Sequence, residues 1–203
     1  RQRFQGMGES PASLLLVFFG RGLGDSVLFT GILEATRNRF PKTEIRLAIL
    51  DHMESYFRQN PFVDVLIPCP VYFGKGLSGY VSFFSSALQV RKSGAVDLLV
   101  ELLPNRDLAP AFWSLLVPKR YSIGIGDPPK QLFYDFPVAI NWAQPYFGAL
   151  RDAVAPLGIE VGRSPFWLPP EVSLEGLLNH EPASTLGIVV ATGGKRNVEA
   201  PKD

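Results

Sequence analysis

The chain has 203 residues, 46% of them hydrophobic, enough to bury one large core or one domain and part of a second. Its 20 basic and 19 acidic residues leave a net charge of +1 with no long run of either sign, which excludes an electrostatic footprint for nucleic acid. No apolar run approaches the roughly 20 residues of a membrane-spanning helix.

The opening "RQRFQGM" has no signal-peptide core, and "FQGM" resembles the scar of a cleaved expression tag with Met7 as a native start, so residues 1–9 are set aside. From there, strand-length apolar runs alternate with helical patterns, as in a parallel sheet wrapped by helices. The first strand is expected over 13–19 and a helix over 26–39, burying Leu28, Ile32, Ala35 and Phe40 and closed by Pro41. "EIRLAIL" (44–50) reads as the second strand, and 51–60 as a short helix with Asp51 as its N-cap. "VDVLIP" (63–68) is the third strand. A Gly- and aromatic-rich loop follows, then a helix near 80–92 with Val81, Phe84 and Leu88 on one face. "VDLLVEL" (96–102) is the fourth strand, 106–116 a helix interrupted early by Pro110, and 120–126 the fifth strand. "DPPKQLFYDFPV" reads as a proline-punctuated connection, 146–159 as helical until Pro156, and 161–184, with four prolines, as a linker. "TLGIVVATGG" (185–194) returns to strand and glycine turn. The expected organisation is therefore an α/β Rossmann-like domain over 10–160, a linker over 161–184, and at 185–203 the first strand of a second domain cut short.

In open α/β sheets ligands sit beyond the carboxyl ends of the strands, where "GRGLGD" stands after the first strand. Gly20, Gly22 and Gly24 permit backbone angles that a side chain forbids, and let a ligand approach the main chain. The dinucleotide fingerprint G-x-G-x-x-G fails, because its third glycine falls on Asp25, an acid that would repel a pyrophosphate. Asp25 has two readings that do not exclude each other. It is an N-cap for the helix, stabilising it by about 1 kcal/mol; or it is an ionised base aimed at an attacking hydroxyl.

Other residues invite chemistry and have plainer readings. Cys69, the only cysteine, excludes an intrachain disulfide, fits a reducing compartment, and reads as a small buried apolar residue without a nearby base. His52 and His180 are far apart, which argues against a histidine-rich zinc centre; His52 faces either a cleft or solvent. Tyr72, Phe73, Tyr80, Phe83 and Phe84 line either the core or an acceptor- or lipid-facing groove, and "FWSLL" (112–116) reads as core.

The stretch "GRGLGDSVLFTGILEATRNRFPKTEIRLAIL" resembles the opening of the family 9 glycosyltransferases, which include the lipopolysaccharide heptosyltransferases. The likeness rests on Leu23-Gly24-Asp25, Phe40-Pro41 and the 44–50 strand, then on "NPFVDVLIPCP", "VDLLVELLPNRDLAPAFWSLLVPKRYSIGIG", "LFYDFPV" and a later "LGI", over about residues 13–160. It implies the acceptor-binding half of a two-domain GT-B fold. Asp25 would be the catalytic base, with the nucleotide-sugar donor held by the following domain, no cofactor and no bound metal. Arg21, Gly22, Leu23, Gly24, Asn105 and Arg106 are the implied acceptor contacts. Gly193, Gly194, Lys195 and Arg196 are those facing the donor diphosphate. Arg21-Gly22 replaces the family's small polar residue, Glu101 its usual aspartate, and Ala200-Pro201 its Trp-Pro; Arg106 sits one position early. The resemblance further implies a cytoplasmic protein, with peripheral membrane association admitted, a glycan or small-molecule acceptor, and a 203-residue chain inactive alone. The rival readings are a non-catalytic α/β binding module whose glycine turn holds an anion or small ligand, and a nucleotide-dependent oxidoreductase.

Overall fold

The computed structural model describes residues 10–92, 94–104, 106–141, 143–162 and 167–169. Strand β1 (Ser13–Phe18) is followed by helix α1 (Leu23–Arg39), β2 (Glu44–Leu50), the one-turn helix α2 (Glu54–Phe57), β3 (Val65–Cys69), α3 (Gly76–Lys92), β4 (Val96–Glu101), α4 (Ala109–Leu116), β5 (Lys119–Ile125), β6 (Phe136–Val138) and α5 (Tyr146–Val154). All strand pairs are parallel, in the order β3-β2-β1-β4-β5-β6. This is a doubly wound, Rossmann-like sheet. Its strand order reverses between β1 and β4, which opens a crevice at their carboxyl ends.

The apolar run from Leu14 to Phe18 in β1 follows from that topology, since a central strand covered on both faces has no solvent side. Leu14, Leu16 and Phe18 join one buried cluster with Phe29, Ile32 and Leu33 of α1, Phe57 of α2 and Leu150, Ala153 and Val154 of α5. Leu15, Val17 and Phe19 join the other with Phe83, Ala87 and Val90 of α3 and Trp113 of α4. The side-chain period of two therefore sorts a single strand between two cores.

Several expectations are corrected. The buried arc of α1 runs through Phe29, Ile32, Leu33 and Thr36, with Leu28 and Ala35 only half-buried. Asp51 does not cap a ten-residue helix. It opens a single 3-10 turn, Asp51–Met53, with no side-chain cap bond. Helix α3 begins earlier than expected and buries Phe83, Ala87 and Val90, leaving Val81 and Leu88 exposed. Pro110 does not interrupt α4. It occupies the first turn, where its missing N–H costs no helical bond. Phe112, Leu115 and Leu116, expected in the core, are exposed. The expected connection after β5 holds a 3-10 turn (Lys130–Phe133) and the sixth strand.

In the segment read as linker, Trp167 docks on the α1 side of the sheet. Its N–H donates to Thr30 Oγ1 at 3.1 Å, its carbonyl accepts from the Tyr56 hydroxyl at 3.0 Å, and its ring meets Tyr56 edge-on. The expected tag remnant at 1–9 and the strand and glycine turn at 185–194 lie outside the described residues.

Candidate active site

Four strand ends contribute to the crevice. The turn after β1 carries Gly20–Gly22 and leads straight into α1, so Asp25 stands in the helix's first turn. None of Gly20, Gly22 and Gly24 has a positive φ, so permissive backbone angles are not what these glycines provide. Gly20 is required by close approach instead, because a Cβ there would lie 2.5 Å from the Phe18 ring. At Gly22 a Cβ would meet only Asp25 Oδ2, at 3.7 Å, and at Gly24 nothing within 4 Å. The turn is thus left bare above the carboxylate.

The capping reading of Asp25 is overturned. Gly22 is the N-cap, in extended conformation and without a side-chain bond. The first turn is tied instead by Ser26, whose backbone N–H and hydroxyl both donate to the Gly22 carbonyl. The Asp25 carboxylate is half-buried, and burial raises its pKa above the ordinary aspartate value. The α1 dipole favours the ionised form. Desolvation acts in the opposite sense. A carboxylate in this state is a stronger base than one held by amides, and needs less energy to take up a proton.

Arg21, on the same turn, is held from two sides. Its guanidinium lies 4.0 Å over the Phe73 ring and 3.4 Å from Asp107 Oδ2. Asp107 follows β4, so this ion pair spans the reversal point of the sheet. Its carboxylate also accepts from the Tyr72 hydroxyl and, through Oδ1 at 3.0 Å, from the Ala109 N–H at the start of α4. His52, just past β2, places Nε2 3.4 Å from the Arg21 carbonyl. Fixed by stacking and pairing, with its side chain still half exposed, Arg21 presents a pre-oriented cation at the crevice.

Tyr146, the first residue of α5, approaches from the opposite face. Its Oη is buried and has no hydrogen-bond partner among the described residues. Burial, and then the charges of Asp25 and Glu101, push its pKa upward, so it stays a neutral donor.

The remaining candidates divide. Leu23 is exposed at the helix start beside Gly24. Arg106 precedes Asp107 in the loop after β4. It is highly exposed, with its Nε 3.7 Å from Asp127 of the loop after β5. Asn105, Gly193, Gly194, Lys195 and Arg196 lie outside the described residues. Cys69 is fully buried and its thiol is pushed up to about 12, chiefly by burial, which removes it as a nucleophile. Tyr72 and Phe83 are core, Phe73 and Phe84 partly buried, and Tyr80 exposed. Asp107 is the residue that sequence reasoning missed. Its signal was an aspartate just ahead of a helix start, "RDLAP". Among the described residues no cluster of His, Cys, Asp and Glu is placed to hold a metal, and no helix is long and apolar enough to cross a membrane.

No protein-family model matches the chain, and no curated protein matches it in sequence. Its fold does match solved structures. A glycosyl transferase family 9 protein from Veillonella parvula aligns with a TM-score of 0.68 at 19% identity, over 78% of this chain and 44% of that one. E. coli heptosyltransferase WaaC, solved with ADP-2-deoxy-2-fluoro heptose, gives 0.58 at 13%, over 75% and 50%. E. coli ADP-heptose lps heptosyltransferase II gives 0.54 at 12%, over 77% and 45%. The chain thus spans about half the length of these neighbours, and its six-stranded parallel sheet has the fold found in family 9 glycosyltransferases and heptosyltransferases.

Proposed function

We propose that this chain is the acceptor-side part of a glycosyltransferase that moves a sugar from a nucleotide-sugar donor to an acceptor hydroxyl, with Asp25 as the general base. The observation that carries the reading is a half-buried carboxylate with no hydrogen-bond partner among the described residues, at the reversal point of a sheet shared with family 9 glycosyltransferases. Asp25 removes the proton of the acceptor O–H as that oxygen bonds to the anomeric carbon. The bond from that carbon to the diphosphate breaks, and the nucleoside diphosphate leaves with the electron pair. The bare Gly22–Gly24 turn and Leu23 shape the floor on which the acceptor rests, and Arg21 meets an anionic group on it. Asn105 and Arg106 are further acceptor contacts. Gly193, Gly194, Lys195 and Arg196 belong to the donor side, completed by a second domain whose cations and helix N-termini stabilise the leaving diphosphate. By itself the 203-residue chain is expected to be inactive.

The test is transfer by the full-length protein with Asp25→Asn beside wild type. The variant is expected to fold and to lose turnover by about two to four orders of magnitude. The acid limb of wild-type kcat/KM should fall at a pH above that of an ordinary aspartate. Equal turnover by the variant would leave the glycine turn a binding site without chemistry.

A further inference from the structure

The face of α3 turned away from the sheet carries Leu77, Val81, Phe84 and Leu88, spaced four, three and four residues apart on one stripe of the helix. These positions are not recessed. Leu77 is 81% exposed, Val81 62% and Leu88 49%, with Tyr80 exposed beside them and Phe84 partly buried at the edge of the core. The helix already seats Phe83, Ala87 and Val90 on the sheet, so Leu77, Val81 and Leu88 form a second apolar surface that the described residues leave exposed.

Its charge is one-sided. From Val65 to Val96 the sequence holds no Asp or Glu, and its only charged residues are Lys75 before α3 and Arg91 and Lys92 in its last turn. All three cations are exposed, and none forms an ion pair among the described residues. The exposed apolar residues of α4 lack this complement. The ammonium of Lys119 beside them is turned back onto the carbonyls of Ser114 and Val117, at 2.8 and 3.4 Å.

We propose that α3 is an interfacial helix that lays this stripe on an anionic lipid surface, with Lys75, Arg91 and Lys92 at headgroup level. Its 17 residues make a rod of about 25 Å lying in the plane of the bilayer, with apolar side chains projecting and cations at both ends. A second copy of the chain fits worse. Antiparallel pairing of two α3 helices sets Lys75 against Arg91 and Lys92, parallel pairing sets each cation on its own equivalent, and no acid on the helix relieves either. Because α3 leaves the carboxyl edge of the sheet shortly after Phe73, docking would bring the Arg21 side of the crevice toward the lipid. The inference stands independently of the transferase reading.

Co-sedimentation of the 203-residue chain with phosphatidylcholine vesicles, with and without phosphatidylglycerol, tests it without any enzymatic readout. Binding is expected only when phosphatidylglycerol is present, and it should weaken as salt is raised. The combined Leu77→Ser, Val81→Ser and Leu88→Ser variant changes exposed positions only, so it should keep its circular dichroism spectrum and lose binding more than tenfold. Lys75→Gln with Arg91→Gln and Lys92→Gln should lose binding by a similar factor, and Leu115→Ser on α4 should bind as wild type. Three results would overturn the proposal: equal binding to both vesicle types, undiminished binding by the serine variant, or a wild-type dimer that fails to bind vesicles and becomes monomeric in that variant.

Discussion

Two carboxylates stand at adjoining strand ends of this sheet, and the fold treats them in opposite ways. Glu101, paired in register with Val17 of β1, is fully enclosed at the end of β4. It faces Lys130 Nζ at 2.9 Å, accepts from the Leu103 N–H at 3.0 Å, and accepts from the Tyr134 hydroxyl at 3.1 Å. Lys130 in turn donates to the Leu103 carbonyl at 2.8 Å, so both backbone groups of Leu103 are clamped. Asp25, in the first turn of α1 beyond β1, has no such partners among the described residues and is only half-buried. Burial raises the pKa of both acids. The difference lies in what answers the charge. A carboxylate with both oxygens engaged holds a loop in place. One whose lone pairs are free can accept a proton from a substrate.

Removing the partner of the enclosed acid is the harshest way to test that contrast. Lys130→Met should cost about 3–5 kcal/mol of stability by stranding a buried charge, measured by urea unfolding. Part of the loss should return as pH falls through the raised pKa of Glu101, because the protonated acid no longer needs a counter-ion. Adding Glu101→Gln should recover most of it at neutral pH. Full tolerance of the single change would mean that the pair is not enclosed, and the comparison would fail.

A smaller effect is expected where β4's loop meets the glycine turn. Asp107→Ala removes the acceptor for the Ala109 N–H together with the partners of Tyr72 and Arg21. About 1 kcal/mol of stability should go with the lost bond to the Ala109 N–H. Arg21 should lose its fixed orientation, so the full-length enzyme should show a raised acceptor KM with kcat changed less. A fall in kcat alone would place Asp107 nearer the reacting atoms than the proposal allows.

How much of this was legible beforehand follows from how far each signal reaches along the chain. Strand β2 matches its expected bounds, and β1 falls one residue short of them, because apolar runs bounded by turns are local. The place of Asp25 was legible for the same reason. Its state was not, since capping depends on which way a carboxylate turns, and Gly22 with Ser26 had already closed the helix start. Which face of α3 meets the sheet was not legible, because apolar residues cover both sides of that helix and spacing alone does not say which side is buried. Strand β6 escaped notice because three residues containing a proline carry almost no periodic signal; it forms where β5 offers an edge. The Glu101–Lys130 pair joins positions distant in sequence, and nothing local announces it.

The gentlest test is also the one that separates the two readings of Asp25 most directly. If its carboxylate held the helix start, Asp25→Asn would change little and Asp25→Ala would cost about 1 kcal/mol. Among the described residues the acid holds nothing, and its folded-state pKa lies above the unfolded one, so its ionised form works against folding. Asp25→Asn should therefore leave the chain as stable as wild type or slightly more stable at neutral pH. Any gain should vanish as pH falls through the raised pKa, where wild-type Asp25 takes up a proton and the penalty disappears. Thermal unfolding of the two proteins from neutral to acidic pH gives the sign. An Asp25→Ala variant about 1 kcal/mol less stable than wild type at neutral pH would return Asp25 to a structural role and leave Glu101 and Asp25 alike.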